Sequence, residues 1–312
     1  MTVSDIGEAG LLERVFPRLP EGRVTLVGPG DDAALVAVRG GRVVATTDVL
    51  VEGRHFRQDW SGPRDIGRKA AAQNLADVAA MGGIGTALLV GLVLPGETST
   101  DWVDAFYDGL REECDLVGAG VVGGDLARSD HGITIAVTAL GSMRGREPVT
   151  RGGAKPGDVV AIAGRVGWSA AGLAVLSRGF RTPRALVDAH RFPQVPYAAG
   201  PAAADLGATA MCDVSDGLVA DLRAIAVASG VSIEITTDVL EVTPQMRDAA
   251  TALGIDPVRW LLDGGEDHAL IASFPSGIEL PESWLTIGRV VRGRGVYVDG
   301  QPSSDQGFDH FR

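Results

Sequence analysis

Acidic residues in glycine- and threonine-rich settings recur along this 312-residue chain. They are Asp31-Asp32 after Gly28-Pro29-Gly30, Thr46-Thr47-Asp48, Asp77, Asp125 after Gly123-Gly124, and Asp213-Val214-Ser215-Asp216-Gly217. Glycine and proline ahead of an acid bend the chain so that carboxylates and backbone N–H groups can face one point, which suits a bound cation. A single Gly-Asp-Asp reads equally well as a surface hairpin, so the recurrence carries the argument. Most of these acids follow apolar runs, where α/β and α+β folds gather ligand groups. Two carboxylates about 4 Å apart repel by roughly 4 kcal/mol at an effective dielectric of 20, so a converging, ionised set needs cations. Carboxylates without His or Cys select hard ions such as Mg²⁺, which shares its remaining positions with water and substrate phosphates. That chemistry points to phosphoryl transfer or another nucleotide-dependent reaction.

The usual nucleotide signatures are missing. The chain has no G-x-x-x-x-G-K-[ST] loop, no protein-kinase motif set, and no G-x-G-x-x-G opening a helix after a strand. If ATP binds, another fold holds it. The net charge of −12 argues against nucleic acid or an anionic membrane as the main partner. Lys69 and Lys155 are the only lysines among 28 basic residues, so a strong phosphate contact is expected from an arginine fork. Cys114 and Cys212 are far apart and read as small core residues. No window approaches about 18 uninterrupted apolar residues, and the expected location is cytoplasmic.

Elements must bring these acids together. The pattern predicts an opening helix over residues 5–19, strands at 24–27, 33–38 and 42–47, and a long helix from Pro63 to Met81. On that helix Lys69, Gln73 and Asp77 share one face. Strands at 86–94, 120–125 and 133–140 and a helix over 98–117 complete an N-terminal domain, 1–145. A linker-like stretch, 146–158, leads into the C-terminal domain, 146–312. That domain has expected strands at 159–163, 208–212, 232–236, 269–274, 285–291 and 296–298, and helices at 168–176, 184–190, 197–206 and 219–228. The fold class is α+β in two domains, the second α/β.

The runs G-P-G-D-D-A-A, T-T-D-V-L-V-E-G-R-H-F, N-L-A-D-V-A-A-M-G, V-V-G-G-D, T-R-G-G-A-K-P-G-D, D-V-S-D-G-L, G-G-E-D and G-F-D-H-F occur in this order. In order and spacing they resemble the thiamine-monophosphate kinase family of the aminoimidazole ribonucleotide synthetase-like ATP-binding superfamily. The resemblance spans essentially the whole chain. It implies ATP-dependent phosphorylation of thiamine monophosphate to thiamine diphosphate, and a homodimer in which the N-terminal sheets pair into a barrel. Position by position, it implies Mg²⁺ ligation by Asp32, Thr46, Thr47, Asp48, Asp77, Asp125, Asp213 and Asp216. ATP contacts carry over to Gly124, Asp125, Arg151, Ser215 and Tyr107, and thiamine phosphate contacts to His55, Glu266 and Phe308. Asp48, Asp125 and Arg151 become the expected catalytic set. One departure is His268, where relatives commonly have tyrosine after Gly-Gly-Glu-Asp.

These roles make chemical sense. An acceptor phosphate with a second pKa near 6 is mostly dianionic at pH 7 and needs no general base. The site must instead offset repulsion between two anions and hold the acceptor oxygen in line. Asp31 reads as a turn-former beside Asp32. Lys69 reads as a snorkelling side chain or a phosphate contact. His131, His190 and His310 lack ligand spacing and read as structural or exposed. Other enzymes of the superfamily, of the selenophosphate synthetase, aminoimidazole ribonucleotide synthetase or hydrogenase-maturation type, are the nearest alternatives. The first and last of these would be expected to carry a reactive or C-terminal Cys, which this sequence lacks. A non-catalytic nucleotide or cation sensor is the alternative of a different class.

Overall fold

The computed structural model describes residues 25–27, 31–38 and 41–303. The expected helix over 5–19, Gly28 to Gly30 and the terminal Phe308 lie outside them.

The first sheet is built from β1 (Thr25–Val27), β2 (Ala34–Val38), β3 (Gly41–Val51), β4 (Ile84–Pro95), β5 (Gly120–Ser129) and β6 (Thr134–Ser142), in the order β1-β2-β3-β6-β4-β5. All neighbours are antiparallel except β4 and β5. One face, with Val44, Leu50, Leu88, Val90, Ile135 and Val137, is covered by α1 (Pro63–Ala80) and α2 (Thr100–Asp115). Those helices touch through glycines: a Cβ on Gly67 would lie 2.0 Å from the Phe106 carbonyl oxygen, and one on Gly109 2.0 Å from that of Arg64. Among the described residues the other face is uncovered. Val49, Val51, Leu89, Val121, Val122 and Leu126 are exposed on it or along the edge strand β5.

The second unit holds β7 (Val159–Ala163), β8 (Ala210–Asp213), β9 (Ser232–Ile235), β10 (Leu270–Phe274), β11 (Trp284–Val291), β12 (Gly295–Val298) and β13 (Gln301–Pro302), ordered β13-β12-β9-β11-β7-β10-β8. Strands β7, β8 and β10 are wholly or almost wholly buried, hence their continuous apolar runs. One face packs on α3 (Trp168–Ser177), α6 (Leu218–Ser229), α7 (Pro244–Leu253) and α8 (Pro257–Asp263). α4 (Arg184–Arg191) lies against α3, packing Leu186 and Val187 into the same core. The other face, including Ala161, Ala163, Met211 and Ala272, meets the end of α1 and α5 (Ala199–Asp205). There Gly200 brings α5 against Ala79, whose carbonyl oxygen a Cβ would approach to 1.9 Å. Helix α1 therefore serves both units.

Two local readings change. Thr46-Thr47-Asp48 and Gly124-Asp125 were expected near strand ends, but β3 and β5 run on past them, so they lie within strands. Helices α7 and α8 were not anticipated. No helix among the described residues is long and apolar enough to cross a membrane.

Candidate active site

A cavity of about 820 Å³ opens between the two units, and Asp48, His55, Ser215, Asp216 and Glu266 line it. Asp48 and Asp216 bring carboxylates to its wall, and behind Asp48 further acids, Asp32, Asp77 and Asp213, stand on neighbouring elements. On β3, Thr46 and Asp48 point to the helix-covered face, where the Thr46 hydroxyl donates to Asp77 Oδ2 at 2.7 Å. Asn74, fully buried one turn earlier on α1, accepts the Asp48 backbone N–H at 3.1 Å. Asp213 ends β8 with its side chain 2% exposed, and its Oδ2 lies 2.7 Å from His268 Nδ1.

Asp32 and Arg151 link the two units. Arg151 Nη2 donates to Asp32 Oδ1 at 2.5 Å, while its backbone N–H donates to Asp31 Oδ1 at 2.9 Å. Asp31 thus braces the backbone, as expected of a turn-former. The second carboxylate oxygen of Asp32 is buried without a partner among the described residues. Burial, countered by Arg151 and reinforced by Asp213, pushes Asp32 up to about 7. Burial and the charges of Asp48, Asp213 and Asp32 drive Asp77 well above the ordinary carboxylate value. Asp77 therefore lies within reach of the charges of the other three acids. Among the described residues, however, no three His, Cys, Asp or Glu groups converge closely enough to hold a metal ion.

The opposite end is charge-paired. Glu266 follows Gly264-Gly265 and has a left-handed backbone, φ 63°. Its N–H donates to the Ser215 carbonyl at 2.8 Å, and His268 N–H donates to that of Val214 at 2.9 Å. These bonds dock the Gly-Gly-Glu-Asp turn onto the Asp213–Gly217 turn. A Cβ on Gly265 would fall 2.2 Å from the Ser215 carbonyl oxygen. Lys69, only 2% exposed, sets Nζ 2.9 Å from Glu266 Oε1 and donates to the His55 carbonyl at 3.0 Å. It neither snorkels nor reaches into open space. Burial would raise Glu266, but Lys69 and His190 outweigh it and hold the carboxyl at about 2.

Several residues at this site were not expected to take part in it. His190, read as structural or exposed, is buried but lines the cavity, 3.5 Å from Glu266 Oε2 and 3.1 Å from Ser169 Oγ. Asp267 caps α3, accepting from Gly167 and Ser169 backbone N–H groups at 2.5 and 2.8 Å. Burial, partly offset by those bonds, lifts it to about 7. Asp221 caps the preceding loop, accepting from Asp216 and Gly217 N–H groups at 3.1 Å each. Burial, then the charge of Asp216, raises it well above the ordinary value. For His268, burial disfavours the charged ring, but the bond and charge of Asp213 prevail and hold its pKa above the usual imidazole value.

Four expected site residues stand apart. Asp48, Val137, Val90 and Gly124 align across β3, β6, β4 and β5. Three inter-strand steps put Gly124 about 14 Å from Asp48. Asp125 aligns with Val49, on the open face opposite Asp48. Thr47 shares that face, bonded to the Val137 carbonyl and Thr138. Tyr107, on α2, packs edge-on against Phe106.

Comparison with known proteins places this arrangement. Residues 30–143 match the AIR synthase related protein N-terminal domain and 155–276 the C-terminal domain. The thiamine-monophosphate kinase of Mycobacterium tuberculosis (strain ATCC 25618 / H37Rv) is 49% identical over 302 residues, covering 96% of this chain and 90% of that one. The chain belongs to the thiamine-monophosphate kinase family. Its fold is that of the solved structure of AaThiL complexed with AMPPCP and TMP, with a TM-score of 0.91 at 35% identity and 99% of each chain covered. Thiamine monophosphate kinase from Aquifex aeolicus superposes with a TM-score of 0.87 at 33% identity, covering 98% of this chain and 100% of that one. The family's two-domain, mixed α/β architecture accounts for both sheets described above.

Proposed function

We propose that this chain transfers the γ-phosphoryl group of ATP to thiamine monophosphate, giving ADP and thiamine diphosphate. The observation that carries the reading is one cavity with two unlike walls in a chain of this family: Asp48, backed by the repelling Asp77, Asp213 and Asp32, on one side, and a charge-paired wall with His55 and Glu266 on the other. An oxygen of the acceptor phosphate bonds to the γ-phosphorus, the bond to the β,γ-bridging oxygen breaks, and ADP leaves. The dianionic acceptor needs no base, so the chain's contribution is alignment and charge management.

Asp32, Asp48, Asp77, Asp213 and Asp216, with Thr46, would hold Mg²⁺. The unpartnered Asp32 oxygen and the raised acids fit a hard cation, and Mg²⁺ keeps several waters where few carboxylates reach it directly. Bound there, several Mg²⁺ ions would neutralise charge developing on the transferring phosphates. Arg151 and Ser215 would contact the nucleotide phosphates, and His55, Glu266 and Phe308 the thiamine phosphate. Thr47, Gly124, Asp125 and Tyr107 complete the metal and ATP set.

The chain works as a homodimer whose two first sheets pair into a barrel. The apolar open face and edge strand support this, and Asp125 and Thr47 stand on that face. The lobes are 1–145 and 146–312. Incubation with Mg²⁺-ATP and thiamine monophosphate, followed by chromatography, tests the reaction. Stoichiometric ADP and thiamine diphosphate are expected, and intact ATP without diphosphate overturns the reading.

A further inference from the structure

We infer that Lys69 is the positioning residue of the acceptor end, a buried cation that fixes His55 and Glu266 relative to each other across the two units. The inference rests on the functional reading above. Three observations carry it.

Lys69 is 2% exposed and its ammonium is divided between the His55 carbonyl at 3.0 Å and Glu266 Oε1 at 2.9 Å. His55 belongs to the loop after β3 in the first unit, whereas Glu266 belongs to the Gly-Gly-Glu-Asp turn of the second. One ammonium therefore sets the width of the cavity at this end. Lys69 is inaccessible to a phosphate, so its charge acts through its partners.

The same helix sets the cavity's length. Along α1, Lys69 holds the acceptor wall, Asn74 holds the Asp48 backbone and Asp77 holds Thr46. Eight residues at 1.5 Å each put Lys69 and Asp77 about 12 Å apart along the axis. A rigid helix thus spaces the acceptor contacts from the carboxylates.

Glu266, finally, cannot readily relax toward another partner. Its left-handed backbone is tied to the Ser215 carbonyl, and its carboxylate keeps 33% of its surface open to the cavity. Without Lys69 that carboxylate would lose its aim.

The test measures thiamine monophosphate affinity by calorimetry in the presence of a non-hydrolysable ATP analogue, alongside steady-state kinetics. It uses wild type, Lys69→Met, Lys69→Arg, Glu266→Gln and the Lys69→Met/Glu266→Gln pair. Lys69→Met should weaken thiamine monophosphate binding and raise its KM about 10- to 100-fold, as losing an orienting partner does at other sites. The KM for ATP should stay within about twofold, and Lys69→Arg should recover part of the loss. In the double variant, which buries no unpaired charge, the effect should equal that of Glu266→Gln alone. Losses that multiply, equal rises in both KM values, or a lowered melting temperature with unchanged acceptor affinity would overturn the inference. If Lys69→Met does not fold, the double variant against Glu266→Gln decides. A wild type that binds thiamine monophosphate without turning it over would refute the kinase reading and leave the binding comparison standing.

Discussion

The two ends of the cavity are built from similar residues and solved oppositely. At the acceptor end the buried groups are paired: the Lys69 charge with Glu266, the His190 ring with Ser169. At the carboxylate end burial and the surrounding carboxylates raise the pKa values of Asp32 and Asp77, and one buried Asp32 oxygen has no partner among the described residues. A paired wall can be finished by folding alone. A repelling cluster persists only because the fold over-determines it, and it leaves electrostatic free energy to be released by cations and phosphates.

Kinetics offer the strongest way to break this contrast. Asp48→Asn should cut kcat by about 10³-fold with the fold intact, as for loss of a transition-state electrostatic contact. Glu266→Gln should act mainly on the KM for thiamine monophosphate. Steady-state assays at saturating Mg²⁺-ATP check both, and near-normal turnover by Asp48→Asn would remove the carboxylate end from catalysis. Asp125→Asn should match Asp48→Asn although the two lie on opposite sheet faces.

Next in size is the seam that joins both ends. Gly265→Ala would drive a methyl into the Ser215 carbonyl oxygen, at 2.2 Å. Because backbone must shift in two turns at once, a loss of roughly 3 kcal/mol or more is expected, with activity falling alongside. Urea unfolding of the variant measures it. Unchanged stability would mean the two turns are not rigidly docked.

Asp77→Asn probes the repulsion itself. The amide oxygen can still accept from Thr46, while one of the mutually repelling charges disappears. Without divalent ions the variant should melt about 2–6 °C higher than wild type, and it should lose activity. Mg²⁺ should raise the melting temperature of wild type more than that of the variant. A lower metal-free melting temperature would show that Asp77 is stabilised by partners rather than strained by neighbours.

Motif order and spacing made the family and most strands legible, because those features are local. Asp48 and Asp125 were legible as functional acids but not as strand residues, since β3 and β5 carry polar side chains within strands rather than at their ends. Helices α7 and α8 did have local signals: Thr243 and Asp256 cap them ahead of Pro244 and Pro257. Asn74, His190 and Asp267 gave none, and Lys69 stood out only for its place on the face of Asp77, because their partners lie on other elements. For Lys69 and Glu266 the separation is almost two hundred residues, and only folding makes them neighbours.

The smallest expected effect concerns His190 and tests how complete the pairing at the acceptor end is. Burial, with the nearby Lys69 and Arg191 charges, lowers this ring to about 4 despite Glu266 beside it. Its unfolded value is near 6.5, so between pH 6.5 and 4 the unfolded chain binds a proton that the folded chain refuses. Stability must therefore fall as pH drops through that window, by about 2 kcal/mol at pH 5 relative to neutral pH. His190→Gln removes the titrating ring and should flatten that part of the profile. Urea midpoints at pH 5 and pH 7 for both proteins measure the difference. Lys69→Met should shrink the slope as well, because removing the ammonium lets the ring protonate more readily. An unchanged slope in His190→Gln would mean that the ring is protonated in the fold, paired to Glu266, and that the acceptor end carries one more positive charge than its hydrogen bonds indicate.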